Sequence, residues 1–244
     1  LLDCVTTALV SYEPVVGGEN SHTVIANVRA IKLNQSSEVL VFTEPILGTF
    51  SILEYPCTTN CSYNVFENEN FIAPLRLDAA DFDGDGKNEL ILSDIGVLPP
   101  SDDKYGKVSI LTINNSSIVD EQIVIQGIGR VACAEAADLD SDLDLDLTLC
   151  EFGNTNGSVG WLENHGGENW TWHKLEDKSG AIEATPVDID GDGESKALTD
   201  GLLLIRYLFG FTGDSLTAGA VGEGAERSIS EEIEAYISER LPSQ

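Results

Sequence analysis

The residues in this sequence best suited to chemistry are acidic side chains at alternate positions that run into an apolar strand. Acids stand at the first, third, fifth and ninth positions from Asp81, and Gly86 stands at the sixth. With a backbone carbonyl at the seventh position, such carboxylates can surround a hard cation, and the glycine permits the sharp turn that folds them inward. The spacing predicts a calcium loop; a solvated acidic turn is the alternative for a single copy. The predicted ligands are Asp81, Asp83, Asp85, Lys87 and Glu89.

The pattern occurs more than once, which favours metal binding. A second loop begins 57 residues after the first and a third begins 50 residues after the second, with Leu143 standing in the second loop where a glycine is usual. Three loops predict about three bound calcium ions. A fainter copy over residues 27–42 keeps two strands without the carboxylates, so we expect no metal there. The predicted ligands are Asp138, Asp140, Asp142, Asp144 and Asp146 in the second loop, and Asp188, Asp190, Asp192, Glu194, Thr199 and Asp200 in the third.

The charge of the chain limits its partners. Forty-two acidic and 13 basic side chains among 244 residues give a formal net charge of -29. This charge argues against binding to nucleic acid or to an anionic membrane, and it would destabilise a compact fold unless cations neutralise part of it. No apolar run is long enough to span a bilayer. Because the chain contains no methionine, we expect a processed or trimmed product that is secreted or at the cell surface. Separately, we expect a bacterial source.

Five cysteines indicate an exported protein rather than a reduced enzyme. Cys133 and Cys150 stand on either side of the second acidic loop, so a hairpin there would bring them opposite each other. Cys57 and Cys61 bracket a tight loop and form the second predicted disulfide. Cys4 is left over.

The stretches between the acidic loops are short, β-branched and alternating, as four-stranded antiparallel units require. After residue 190 the pattern becomes helical. We therefore divide the chain into a β repeat domain, 1–184, and a helical module, 185–244. The predicted strands are 75–81, 89–94, 106–113 and 121–126 in one unit, and 132–138, 145–151, 158–164 and 170–176 in the next. The predicted helices are 201–209 and 228–241, the second with a capping-box spacing and a face of Ile229, Ile233, Ile237 and Leu241.

Roughly residues 25–190 resemble the FG-GAP or VCBS-type repeats of extracellular proteins and of the integrin head. The resemblance is carried by the loops 81–89 and 138–146 and by the stretch 161–167, Trp-Leu-Glu-Asn-His-Gly-Gly. The tail, where 191–200 aligns with 222–231, resembles a dockerin with one intact loop, although Lys196 stands where an oxygen ligand is common. The resemblance implies a mainly β, propeller-like array of four-stranded antiparallel blades with calcium loops, followed by a small α-helical, EF-hand module.

We do not expect catalysis, because the sequence contains no nucleophile paired with a base, no zinc spacing and no phosphate loop. Trp161, Trp170 and Trp172 could form a sugar-stacking platform, but packing between sheets is the preferred interpretation. Asn-x-Ser/Thr sequons would mark exposed loops if a glycosylating system acts on them. These sequons are at Asn34, Asn60, Asn114, Asn115, Asn156 and Asn169.

The sequence predicts a calcium-binding extracellular structural or interaction protein that assembles or adheres. Its expected partners are copies of itself or another extracellular protein or glycan. The alternatives are a non-catalytic part of a secreted polysaccharide-degrading enzyme and a glycan-binding adhesin. An array of sheets that does not close into a ring would expose unpaired strand edges and apolar faces, which something must cover. Residues 4–12 and 21–26 look like the last strands of a blade and 182–188 like a first strand, so they could pair within one chain or, as we favour, between chains.

Overall fold

The computed structural model describes residues 25–34, 37–54, 63–114, 117–140, 142–193 and 195–240. Within these residues the fold is mainly β, with twelve strands in three four-stranded antiparallel sheets, each ordered as its strands follow in the chain. The strands are β1 (Asn27–Asn34), β2 (Ser37–Glu44), β3 (Thr49–Glu54) and β4 (Tyr63–Glu67) in sheet 1; β5 (Pro74–Ala80), β6 (Glu89–Asp94), β7 (Gly106–Asn114) and β8 (Ser117–Ile128) in sheet 2; and β9 (Val131–Ala137), β10 (Asp146–Glu151), β11 (Ser158–Asn164) and β12 (Trp170–Asp177) in sheet 3.

Helices follow the sheets. A short π-helical turn, Ala197–Gly201, leads into α1 (Leu202–Leu208), and α2 (Asp214–Thr217) and α3 (Ser230–Arg240) complete the described tail. No helix within the described part of the chain is long and apolar enough to cross a membrane. The predicted strands and the two predicted helices are confirmed to within a few residues at their ends. The short helix α2 was not predicted.

The sheets pack face to face, with sheet 2 in the middle. Successive side chains of a strand point to opposite faces, and in β6 Leu90 and Leu92 pack with sheet 1 while Ile91 packs with sheet 3. All three side chains are 0% exposed. A strand buried on both faces accounts for the unbroken apolar run Leu90-Ile-Leu92. The described residues show three successive sheets without a closed ring.

The first strands of the sheets lie side by side, since β5 contacts β1 and β2, and β9 contacts β5 and β6. Charged side chains join them. Arg29 Nη1 of β1 lies 3.2 Å from Asp78 Oδ2 of β5 and 3.6 Å from Glu135 Oε1 of β9. Arg76, also on β5, pairs with Glu135 through Nη2 and lies 3.5 Å from Glu183 Oε1. The three sheets are therefore linked by one chain of ion pairs.

The disulfide predicted between Cys133 and Cys150 is present. The two cysteines stand opposite each other on β9 and β10 with 5.1 Å between their α-carbons. Both are fully buried, and Ala181 and Ala184 pack against them. Cys4, Cys57 and Cys61 lie outside the described residues, so the second predicted disulfide stays a prediction.

The tryptophans do not form one platform. Trp170 and Trp172 pack against the apolar core between sheets 2 and 3, as the preferred interpretation has it. Trp161 is on the opposite face, stacked on His173 with 4.8 Å between ring centroids. Side-chain alternation along β11 and β12 separates the two groups.

Residues 182–188, which were expected to form a first strand, have no strand pairing within the described residues. Residues 4–12 and 21–24, the expected complement, lie outside the described residues. In the tail, Ile233 and Ile237 are buried with Leu203 and Leu216, as predicted for the apolar face of α3. Ile229 precedes the helix and is 52% exposed.

Candidate metal centres

In the first acidic loop the aspartates converge because they accept hydrogen bonds from the backbone of the loop. Asp81 accepts the N–H of Gly84 through Oδ1 at 2.8 Å and that of Gly86 through Oδ2 at 2.9 Å. Both glycines have positive φ, 74° and 83°. Carboxylate oxygens of Asp81, Asp83 and Asp85 lie within 4.8 Å of one another. The loop thus brings three predicted ligands together.

The remaining residues of this loop close it at both sides. Glu89 is buried at the start of β6 and accepts the N–H of Phe82 through Oε2 at 3.0 Å. Lys87 Nζ contacts Asp85 Oδ2 at 2.7 Å, and this hydrogen bond lowers the pKa of Asp85. Asn88 holds the loop against sheet 1, where its N–H donates to the carbonyl of Leu33 at 2.8 Å.

The second loop repeats this arrangement with a leucine in the glycine position. Leu143 has φ 77° and donates its N–H to Asp138 Oδ2 at 3.2 Å, as Gly86 does in the first loop. Oxygens of Asp138, Asp140 and Asp146 lie within 4.8 Å of one another. The predicted ligands Asp142 and Asp144 follow along the turn, where the N–H of Asp144 donates to Asp142 Oδ1 at 3.0 Å.

Asp146 fixes the second loop to the sheet. It is 0% exposed and accepts two backbone N–H groups, from Leu139 through Oδ2 and from Asn164 through Oδ1, each at 2.9 Å. The side chain of Asn164 donates to the carbonyl of Leu145 at 3.1 Å. Asn164 was not among the predicted site residues, although the motif at 161–167 contains it.

The third loop uses a later acid to close. Asp188 accepts the N–H of Gly193 at 2.9 Å through Oδ2, and its oxygens lie within 4.8 Å of those of Asp190 and Asp200. Asp200 accepts the N–H of Ile189 at 2.6 Å and that of Lys196 at 2.8 Å.

The other residues predicted for the third loop have different positions. Thr199 Oγ1 donates to Asp200 Oδ2 at 3.0 Å, which orients that carboxylate. The N–H of Asp192 donates to Asp190 Oδ1 at 3.2 Å. Glu194 lies outside the described residues.

Five carboxylates of these loops have a raised pKa. Burial raises the pKa values of Glu89, Asp140, Asp146 and Asp190, and repulsion from neighbouring carboxylates adds to the rise. For Asp144, burial followed by repulsion from Asp142 raises the pKa to about 6. A bound cation would offset both effects.

The donor set decides which metal these loops suit. Each of the three clusters consists of aspartates, so the side-chain ligand atoms that it offers are carboxylate oxygens. Hard divalent ions such as calcium, magnesium and manganese prefer such ligands, whereas zinc sites are built mainly from cysteine and histidine. The residues therefore fit a hard divalent cation, of which calcium is one.

Comparison with known proteins gives no relative: the sequence matches no protein-family model and has no significant match among curated proteins.

Proposed function

We propose that this protein is a calcium-binding extracellular structural or interaction protein. In it, calcium holds the acidic loops that join the first two strands of sheets 2 and 3, and the acidic loop that begins the helical tail. The observation that carries the proposal is the shared geometry of the three loops. In each, the first aspartate accepts the N–H of the sixth residue and its oxygens converge with those of two other acids. The structure contains this geometry before two strands and before a helix.

Two further features support an extracellular location. The disulfide between Cys133 and Cys150 is typical of oxidising compartments. With a net charge of -29, the acidic side chains would repel one another strongly in a compact chain, and bound divalent cations would reduce that repulsion. We include in this proposal the relationship of the sheets to FG-GAP or VCBS-type repeats and of the tail to dockerins.

The experiment is thermal unfolding with calcium or with excess chelator. Ions that bind only the folded protein stabilise it by about 2.7 kcal/mol for each site at a free concentration one hundred times its Kd. The wild type should therefore melt at a clearly higher temperature with calcium. Replacing the first acid of each loop, by Asp81→Asn, Asp138→Asn and Asp188→Asn together, should abolish most of this difference.

A matched control removes the same charge outside the loops, by Asp103→Asn, Asp120→Asn and Asp177→Asn together. This variant should keep the full calcium effect, because these aspartates belong to none of the three clusters. Equal melting temperatures of the wild type in calcium and in chelator would refute the proposal.

We propose further that copies of this chain associate through residues 181–188. Ala184 packs beside β9 and β10, and its carbonyl accepts a hydrogen bond from Thr148 Oγ1 at 2.6 Å. Sheet 2 meets sheet 1 in a similar way, since Thr43 Oγ1 of β2 donates to the carbonyl of Leu75 in β5 at 2.7 Å. The segment thus stands where the first strand of a fourth sheet would stand, and within the described residues no strand pairs with it.

The segment 4–12 of a second copy, which was expected to form a strand, would pair with residues 181–188. This pairing would cover the face of sheet 3 that carries Trp161. Sedimentation of the calcium-loaded protein tests the idea. We expect concentration-dependent association that is lost when residues 1–12 are deleted, and a compact monomer at micromolar concentration that is unaffected by the deletion would contradict it.

A further inference from the structure

The second half of the tail, residues 222–231, lies against the third acidic loop. The N–H of Gly222 donates to Asp190 Oδ2 at 2.6 Å. The N–H of Arg227 donates to the carbonyl of Asp190 at 2.7 Å, and that of Glu226 donates to the carbonyl of Gly191 at 3.2 Å. This half aligns with residues 191–200, and Gly219 and Val221 stand before it where Asp188 and Asp190 stand in the third loop. The contacts of this half are made to the third loop.

The side chain of Arg227 makes the most specific of these contacts. Its Nε donates to the carbonyl of Ile189 at 2.7 Å, and its Nη2 donates to the carbonyl of Asp188 at 2.9 Å. Its guanidinium lies 4.1 Å from the centroid of the Tyr236 ring, which supports it from α3. A planar guanidinium can donate in two fixed directions at once, whereas an ammonium group offers no such fork.

We infer that Arg227 is a positioning residue for the cation site of the third loop. It holds the backbone of Asp188 and Ile189, and its own N–H holds that of Asp190. The carboxylates of Asp188 and Asp190 are thereby directed toward Asp200 before any ion binds. This inference rests on the proposed calcium-binding function.

Two other arginines of the tail show what an ordinary structural contact looks like. Arg206 Nη1 donates to the carbonyls of Leu216 and Ala218, which join α1 to the end of α2. Arg240 lies 3.5 Å from the centroid of the Tyr236 ring and donates to the carbonyl of Tyr236. Neither contacts the acidic loop through these bonds. Arg227 differs because both of its side-chain acceptors are residues of the loop.

The first and third loops allow the affinity of the third site to be measured beside an internal reference. Gly193 donates its N–H to Asp188 Oδ2 at 2.9 Å, and Gly86 donates its N–H to Asp81 Oδ2 at the same distance. A calcium titration of the full chain, followed by NMR at these two amides, reports the two sites separately. The variants are Arg227→Ala, Arg227→Lys and, as the matched control, Arg240→Ala.

Groups that orient metal ligands typically contribute ten- to a hundredfold to affinity. We expect Arg227→Ala to raise the calcium concentration at the Gly193 midpoint by about tenfold or more, and Arg227→Lys, which keeps the charge but not the fork, to give a smaller rise. The Gly86 midpoint should stay unchanged in both variants. Arg240→Ala should leave both midpoints unchanged, although it removes a guanidinium from the same ring.

The outcomes separate this inference from the proposed function. If both glycines of the wild type respond and Arg227→Ala and Arg227→Lys match the wild type at Gly193, Arg227 does not position the site and the inference is wrong. If neither glycine of the wild type responds to calcium, the proposed function fails, and the inference fails with it. The Ala220 amide, in the tail core, reports whether Arg227→Ala folds. If this variant does not fold, the Gly193 midpoints of Arg227→Lys and Arg240→Ala are compared instead, and equal midpoints would show that the inference is wrong.

Discussion

Asp200 accepts the backbone N–H of Ile189 at 2.6 Å, eleven residues back along the chain. Glu89 and Asp146 make the corresponding contact in the first and second loops, each to a residue only seven positions earlier. The second N–H of every loop is thus taken up by an acid that ends the loop. Because this acid arrives later in the third loop, the chain there continues into a helical turn that contains Asp200, whereas Glu89 and Asp146 begin strands.

Asp146→Ala should destabilise the protein even without metal. The substitution leaves the half-buried N–H of Leu139 and the buried N–H of Asn164 without their acceptor, and a buried unsatisfied donor costs about 1–3 kcal/mol. Chemical denaturation in excess chelator measures the loss. Asp142→Ala, at an exposed position of the same loop, is the control, and an equal loss in both variants would contradict the assignment.

Leu143→Gly should stabilise the second loop. Leu143 is 84% exposed and has φ 77°, a left-handed conformation that costs an L-residue about 1–2 kcal/mol and a glycine almost nothing. We expect the free energy of unfolding to rise by about 1 kcal/mol. Leu47→Gly, at another exposed leucine where φ is not positive, should instead lower stability, and equal changes in the two variants would show that backbone strain is not the cause.

Removing the disulfide with the double variant Cys133→Ala and Cys150→Ala should lower the free energy of unfolding by about 3 kcal/mol. The two cysteines are 17 residues apart, and closing a loop of about this length restricts the unfolded chain by that amount. Urea unfolding measures the change, with Cys4→Ala as the control. Alkylation of Cys133 in the unreduced protein would show that the bond is not formed.

The carboxylate of Asp102 should titrate far below its ordinary range. The hydroxyl of Thr155, followed by the N–H groups of Thr155 and Asn156, lowers the pKa of Asp102 to about 2. A lowered pKa favours the folded protein above the unfolded value of about 3.9, and this contribution is lost as the pH falls through about 2. Thr155→Val should raise the pKa, as followed by carboxyl NMR, whereas Thr171→Val should not.

The strands could be predicted because their burial leaves a pattern in the sequence. The run Leu90-Ile-Leu92 lies between two neighbouring sheets, and the alternation of β11 separates Trp161 from the core that contains Leu162. The acidic spacing similarly predicted the convergence around Asp81, since adjacent turn positions fix local geometry. These features depend on neighbours along the chain.

Features that depend on distant residues could not be predicted. Asn164 contributes to the second loop through contacts 18 and 19 residues away, and Arg227 reaches the third loop across 38 and 39 residues. No periodicity marks either residue. That no strand within the described residues pairs with 182–188 was missed for the same reason, because an extended segment without a partner and a paired strand have the same alternation.

The charges that join the first strands make the three sheets non-interchangeable. Arg29 of β1 lies within ion-pairing distance of one acid in each of the other two sheets, Asp78 of β5 and Glu135 of β9. A chain in which sheet 1 was replaced by a duplicate of sheet 2 would lack this guanidinium, and Asp78 and Glu135 would lose the positive charge that lies between them. In reordered or duplicated versions of this protein the sheets would therefore pack less favourably on one another even with every apolar contact kept. The charges of the first strands thus help to specify the order of the sheets along the chain.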